Sequence, residues 1–202
     1  MSRFIVFALL CWFSAAANAA STVLVFGDSL SAGYGLRTAD AWPSLLAAQL
    51  DTARPGYRVV NASISGETTA GGRTRLPAAL AQHRPEVVIL ALGANDGLRG
   101  LSLDAMRDNL QAMVAAARQA RAKVLLVGME IPPNYGPAFT AKFRTVFQDV
   151  AARNKTALLP FLLDGFADRR ELFQADTIHP TAAAQPLILK NVWPRLQPLL
   201  GH

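Results

Sequence analysis

Five short runs of Val, Leu and Ile recur along the chain, at residues 22–27, 57–62, 86–92, 123–129 and 157–161, separated by longer segments of helical spacing. The runs are almost continuously apolar, which is the pattern of strands covered on both faces. Strands alternating with helices pair in parallel through right-handed crossovers, so the pattern predicts a doubly wound α/β domain with a five-stranded parallel sheet between two helical layers. Asp40 is placed to cap a first helix in which Trp42, Leu45, Leu46 and Leu50 share one face. An Ala-rich helix is expected over 103–121, opening with acidic residues that suit its dipole. A last helix is expected over 180–200, bent or interrupted at Pro186 and Pro194.

The first segment is of a different kind. Arg3 precedes an apolar run at 4–13 and then small residues ending in Ala17-Asn18-Ala19, the order of a cleavable export signal. Cleavage there leaves a signal at 1–19 and one domain at 20–202, with no linker, repeat or low-complexity tract inside it. The apolar core of the signal is far shorter than the roughly 20 residues that cross a bilayer, so no stable membrane anchor is expected and the chain reads as periplasmic or secreted. Cys11, the single cysteine, lies in this segment behind Leu10, where a lipid-attachment signal carries a small residue. The domain itself therefore has no thiol for a disulfide.

Composition narrows the class further. With 51% hydrophobic and 17% charged residues, the chain is balanced for a folded core and not for disorder. Its net charge is +6, but the arginines are scattered and form no stripe with interleaved aromatics, which argues against nucleic acid as a partner. A modest positive charge serves solubility, and it also attracts anionic acyl carriers or lipid headgroups.

Parallel sheets bind ligands beyond the carboxyl ends of their strands, so the residues after each run carry the chemistry. They are Gly27-Asp28-Ser29-Leu30-Ser31, Ser63-Ile64-Ser65-Gly66-Glu67 and Gly93-Ala94-Asn95-Asp96-Gly97. A serine in a strand-to-helix turn is a nucleophile only if a base takes its proton. The chain has three histidines: His83 reads as a surface residue at a helix end, and His202 is terminal. His179 lies three residues after Asp176, an offset that lets the carboxylate reach the imidazole and hold its tautomer. The same pattern also suits a capped helix start ahead of Pro180, and the spacing alone does not choose between these readings.

Taken together, these blocks resemble the GDSL or SGNH hydrolase family over the whole of 20–202. Gly27 to Ser31 matches its nucleophile block, Gly66 its glycine block, Gly93 to Asp96 its Gly-x-Asn-Asp block and Asp176 to His179 its Asp-x-x-His block. Within the family the likeness is closest to the bacterial thioesterase I, lysophospholipase and arylesterase subgroup, carried by Gly27 to Tyr34, Asn61 to Gly66, Asn95 to Gly100 and Ala184 to Pro186. The resemblance implies a flavodoxin-like fold and hydrolysis of acyl esters and thioesters. It makes Ser29 the nucleophile, His179 the base and Asp176 its orienting acid, with the N–H groups of Ser29 and Gly66 and the Asn95 amide as oxyanion hole. No cofactor and no metal are implied. Leu98, Leu101, Ile131, Pro132 and Tyr135 are candidates for the acyl pocket.

Competing readings fit less well. Gly33-Tyr34-Gly35 opens like a dinucleotide fingerprint, but its third glycine position is Thr38. The Gly-x-Ser-x-Gly elbow fails because Ser31 occupies its second glycine. Three dispersed histidines offer no zinc spacing. Asp28 reads as structural, tying down the nucleophile turn, and Glu67, Glu130, Asp164 and Glu171 as solvated. The expected partners are small acyl substrates, met by a monomer. The alternatives are an acyl-ligand binding protein and an acyltransferase on the same fold.

Overall fold

A computed structural model describes residues 20–201, so the expected signal at 1–19, Cys11 and His202 lie outside the described residues. The five apolar runs form β1 (Ser21–Gly27), β2 (Tyr57–Asn61), β3 (Val87–Ala91), β4 (Lys123–Val127) and β5 (Ala157–Leu159). All pair in parallel in the order β2-β1-β3-β4-β5. Alternate residues of each central strand feed opposite layers. Leu24, Phe26, Val88, Leu90, Val124 and Leu126 face α3 (Thr69–His83), α5 (Leu103–Gln119) and α6 (Pro137–Asn154), while Val23, Val25, Val87, Ile89, Leu125 and Val127 face α2 (Trp42–Ala53) and α7 (Gln185–Leu196). The three-layer α/β/α arrangement is thus present.

In α5, Met106, Leu110, Met113, Val114 and Ala117 are buried at helical intervals, and the Ser102 hydroxyl accepts from Ala105 N–H at 3.2 Å to close its first turn. Two other helix starts differ from expectation. Asp40 does not cap α2, because its carboxylate is held by Arg37 at 2.7 and 2.8 Å in the preceding turn; Ala41 takes the cap position and Pro43 the first turn. The last helix begins at Gln185, not Pro180. Pro180 instead bridges Phe173, and after Thr181 a short 3-10 turn at Ala182–Ala184 leads into the helix, so Pro186 falls in its first turn, where its missing N–H costs no intrahelical bond. Gln185 is 2% exposed and accepts from Trp42 N–H at 3.0 Å, joining α7 to α2.

The chain runs from β1 outward to β2 and then returns across to β3. The sheet order therefore reverses between β1 and β3, the place where open α/β sheets leave a crevice. The exits of both strands open there.

Candidate active site

β1 ends at Gly27, and the chain turns at once into α1 (Ser29–Ala32). Asp28 makes the turn: its buried carboxylate accepts from Leu30 N–H at 3.0 Å, and Gly33, at φ +76°, ends the helix. Ser29 is left on the first helical residue with its N–H free of protein partners among the described residues. Its Oγ lies 2.8 Å from Nε2 of His179.

The histidine is presented by a tight turn and not by a helix. Gln174 N–H donates to the carbonyl of His179 at 2.8 Å, Thr177 sits at φ +65°, and Oδ1 of Asp176 accepts from the N–H groups of Ile178 and His179, both at 3.0 Å. Oδ2 of the same carboxylate is 2.7 Å from Nδ1 of His179. One side chain therefore caps the turn and grips the ring; the carboxylate reaches the imidazole, and no helix starts ahead of Pro180. The backbone N–H of His179, its ring and the N–H of Ile178 hold the Asp176 carboxyl down at about 2. The imidazole is further bounded by Tyr34, whose ring centroid is 4.4 Å away. The Gln174 amide donates to the Tyr34 carbonyl at 2.8 Å, tying the serine loop to the histidine loop.

The other two blocks close the site. Gly66 takes φ +79°, a conformation that side chains disfavour, and its carbonyl accepts from Arg99 at 2.9 Å. Asn95, in α4 (Ala94–Leu98), donates through Nδ2 to the Glu67 carbonyl at 3.0 Å and, more weakly, to Oδ2 of Asp28 at 3.4 Å. Asp96 turns the other way. It is 3% exposed and accepts from Thr69 N–H at 2.9 Å and Thr69 Oγ1 at 2.5 Å, anchoring the start of α3. Glu67 departs from expectation: its side chain is only 9% exposed and pairs with Arg75, which in turn lies over the Phe26 ring. Glu130 pairs with Arg144 at 3.3 Å and Glu171 with Arg169 at 3.0 Å, both near the surface.

Burial raises the Asp28 carboxyl to about 6, against the opposing pull of Leu30 N–H and the nearby His179. Its folded value lies above the ordinary carboxylate value, so the folded state binds the proton more tightly, and stability falls as pH rises from about 4 through 6. The difference in unfolding free energy between the parent and Asp28→Asn should shift by on the order of 3 kcal/mol between pH 4 and pH 7.5, to the disadvantage of the parent. Urea titrations at the two pH values measure it, and an unchanging difference would show that burial does not control this carboxyl.

Beside Ser29 and His179 opens a cavity of about 510 Å³, well within the range of small-molecule sites. Leu98, Ile131 and Pro132 line it as expected, but Leu101 and Tyr135 are not among its lining residues; the Tyr135 hydroxyl instead donates to the Leu98 carbonyl at 2.9 Å. The walls not foreseen are Met129, Phe161, Leu163, Ala167 and Phe173, together with Tyr34, Thr177 and Ile178. The apolar runs at 123–129 and 157–161 place Met129 and Phe161 in strands. β4 and β5 stop at Val127 and Leu159, and the residues just beyond belong to the cavity.

This arrangement coincides with a family match: residues 25–186 fit the GDSL-like lipase/acylhydrolase family. The chain belongs to that family. It is 53% identical over 182 residues to the esterase TesA of Pseudomonas aeruginosa, an alignment covering 90% of each chain. It is 40% identical over 186 residues to thioesterase 1/protease 1/lysophospholipase L1 of Escherichia coli, covering 92% of this chain and 88% of that one. Among solved structures, the psychrotrophic esterase EstA from Pseudoalteromonas sp., inhibited by monoethylphosphonate, superposes with a TM-score of 0.84 at 39% identity, covering 88% of this chain and 97% of that one. Like its family, the chain is an enzyme that hydrolyses acyl esters, and its fold is that of the SGNH hydrolases, as in the SGNH-hydrolase family esterase AlinE4, which superposes with a TM-score of 0.74 at 35% identity.

Proposed function

We propose that the enzyme cleaves acyl esters and acyl thioesters, including those of single-chain lipids and aryl alcohols, through an acyl-enzyme on Ser29. The observation that carries this reading is the continuous chain from Ser29 Oγ to His179 at 2.8 Å and from His179 to Asp176 at 2.7 Å, beside a mostly apolar cavity. Ser29 Oγ attacks the acyl carbon while Nε2 of His179 takes its proton, and the ionised Asp176 stabilises the imidazolium. The carbonyl oxygen, now negative, accepts from the N–H groups of Ser29 and Gly66 and from the Asn95 amide. Asn95 keeps its 3.0 Å bond to Glu67 and exchanges its weak 3.4 Å contact with Asp28 for the oxyanion. His179 then protonates the departing alcohol or thiol, and a water repeats the sequence on the acyl-enzyme.

A fluorophosphonate probe tests the nucleophile directly. It should modify Ser29 stoichiometrically, fail on Ser29→Ala, and react far more slowly with His179→Ala. Equal labelling of the parent and Ser29→Ala would place the nucleophile elsewhere, and no labelling of either would favour a binding protein.

The relatives' names, thioesterase, lysophospholipase and esterase, support the breadth of acyl substrates. We further infer that residues 1–19 are removed on export and that 20–202 is the working domain. Among the described residues no helix is long and apolar enough to cross a membrane. Protein recovered from the exported fraction of a bacterial host should begin at Ala20 by intact mass; retention of residues 4–13 in a membrane-bound species would mean that the segment is an anchor.

A further inference from the structure

Gly33-Tyr34-Gly35, which fits no dinucleotide site, sets its tyrosine against the imidazole of His179. Tyr34 is 52% exposed, yet its place is fixed from both sides. Its N–H donates to the Ser29 carbonyl at 3.2 Å, and its own carbonyl accepts from the Gln174 amide at 2.8 Å. Gln174 in turn donates its N–H to the His179 carbonyl at 2.8 Å. Gly35, at φ +73°, permits this approach, because a Cβ there would collide with the Gln174 amide.

Both main-chain polar groups of Tyr34 are therefore engaged in joining the serine loop to the histidine loop. The side chain lies on the imidazole, with ring centroids 4.4 Å apart and planes inclined by 37°. None of the hydrogen bonds that hold Tyr34 uses its hydroxyl, so the ring alone makes the contact.

The imidazole has Asp176 at Nδ1 and Ser29 at Nε2, and its side chain is only 18% exposed. Little water is at hand to solvate a charge that forms there. An aromatic ring within about 6 Å of a cation attracts it through the negative potential of its face. Neutral imidazole gains little from that potential, and the imidazolium formed when Nε2 takes the serine proton gains much more, so the contact favours the transition state over the ground state. We propose that Tyr34 is a positioning residue of the reaction, its ring stabilising the His179 imidazolium as the proton leaves Ser29. This inference rests on His179 being the base, as proposed above. It requires no contact between Tyr34 and substrate, although the ring also lines the cavity.

Tyr34→Leu and Tyr34→Phe test it, since both keep the main-chain bonds of residue 34. On a water-soluble acetate ester, Tyr34→Leu should lower kcat about three- to tenfold, with KM within about twofold and the thermal midpoint within a few degrees. Tyr34→Phe, which keeps the ring, should restore kcat to within about twofold of the parent. A double-mutant cycle read as the rate of fluorophosphonate labelling decides the partner. Tyr34→Leu should slow labelling of the parent several-fold and change the slow labelling of His179→Ala by less than about twofold, because no imidazolium forms there. Parent-like kcat in Tyr34→Leu would overturn the proposal, as would Tyr34→Phe as slow as Tyr34→Leu. So would a loss confined to KM, or one that persists undiminished beside His179→Ala, either of which would make Tyr34 a substrate contact or a loop residue. Failure of the base itself would appear separately, as parent-like activity of His179→Ala.

Discussion

Ser29→Ala should lower kcat on a soluble acyl ester by about 10⁵ to 10⁶, with KM changed little. In the proposed reaction the hydroxyl oxygen is the atom that bonds to the acyl carbon, so without it only direct attack by water remains, assisted by the proposed oxyanion donors. His179→Ala should cost nearly as much, since its Nε2, 2.8 Å from Ser29 Oγ, is the proposed acceptor of the serine proton. Combining the two should cost little more than either alone, because nucleophile and base act as a unit and their effects do not add. Asp176→Asn should be milder, about 10⁴, because the imidazole remains but its tautomer is no longer dictated. Steady-state rates on purified protein decide the matter. A loss of less than about tenfold in Ser29→Ala would remove this serine from the reaction, and a fully additive double variant would separate the two residues into independent roles.

Asn95→Ala should lower kcat by about 10² to 10³, with a much smaller rise in KM. A donor aimed at the oxyanion gains strength as charge develops on the carbonyl oxygen, so its loss falls on the transition state and not on the bound substrate. The structure adds a second consequence. Asn95 also holds the Glu67 carbonyl at 3.0 Å, so its removal loosens the segment that carries Gly66. Asn95→Asp separates the two effects poorly, since a carboxylate repels both the oxyanion and the Glu67 carbonyl; it should be at least as slow as the alanine variant. Slow but measurable phosphonate labelling of Ser29 in Asn95→Ala would show that nucleophile and base persist. If kcat stays within about threefold of the parent while the thermal midpoint drops, Asn95 is a turn residue and nothing more.

The central strands β1, β3 and β4 were legible because a strand covered on both faces has to be apolar at nearly every position, whereas β2, at the edge, has no buried residue and carries Arg58 and Asn61. The helix starts were not legible. Asp40 pairs with Arg37 three residues earlier, across a short turn that ends at Asp40 and moves the start of the helix to Trp42. Pro180 stays extended because it meets Phe173, seven residues earlier. For the site, Ser29, His179 and Asp176 stood out because few residue types can do their work and the chain has only three histidines. The cavity walls were harder, since Met129, Phe161 and Leu163 are chemically indistinguishable from core, and only the point at which a strand ends assigns them to a cavity. Glu67 reads as solvated for a related reason: an acidic residue in a loop is usually exposed, and its burial depends on Arg75, nearly two turns into α3.

The hydrogen bond between Ser29 and His179 spans 150 residues of chain. During synthesis the serine therefore emerges long before the histidine, and every shorter chain holds a hydroxyl with no base to activate it. The turn that carries His179 lies beyond β5 at the border of the sheet, and it reaches the serine loop at the centre only when the strands between them are in place. On the proposed mechanism hydrolysis starts only once the segment carrying His179 has joined the sheet, which makes catalytic rate a sensitive gauge of correct assembly and leaves chains that end before His179 chemically silent.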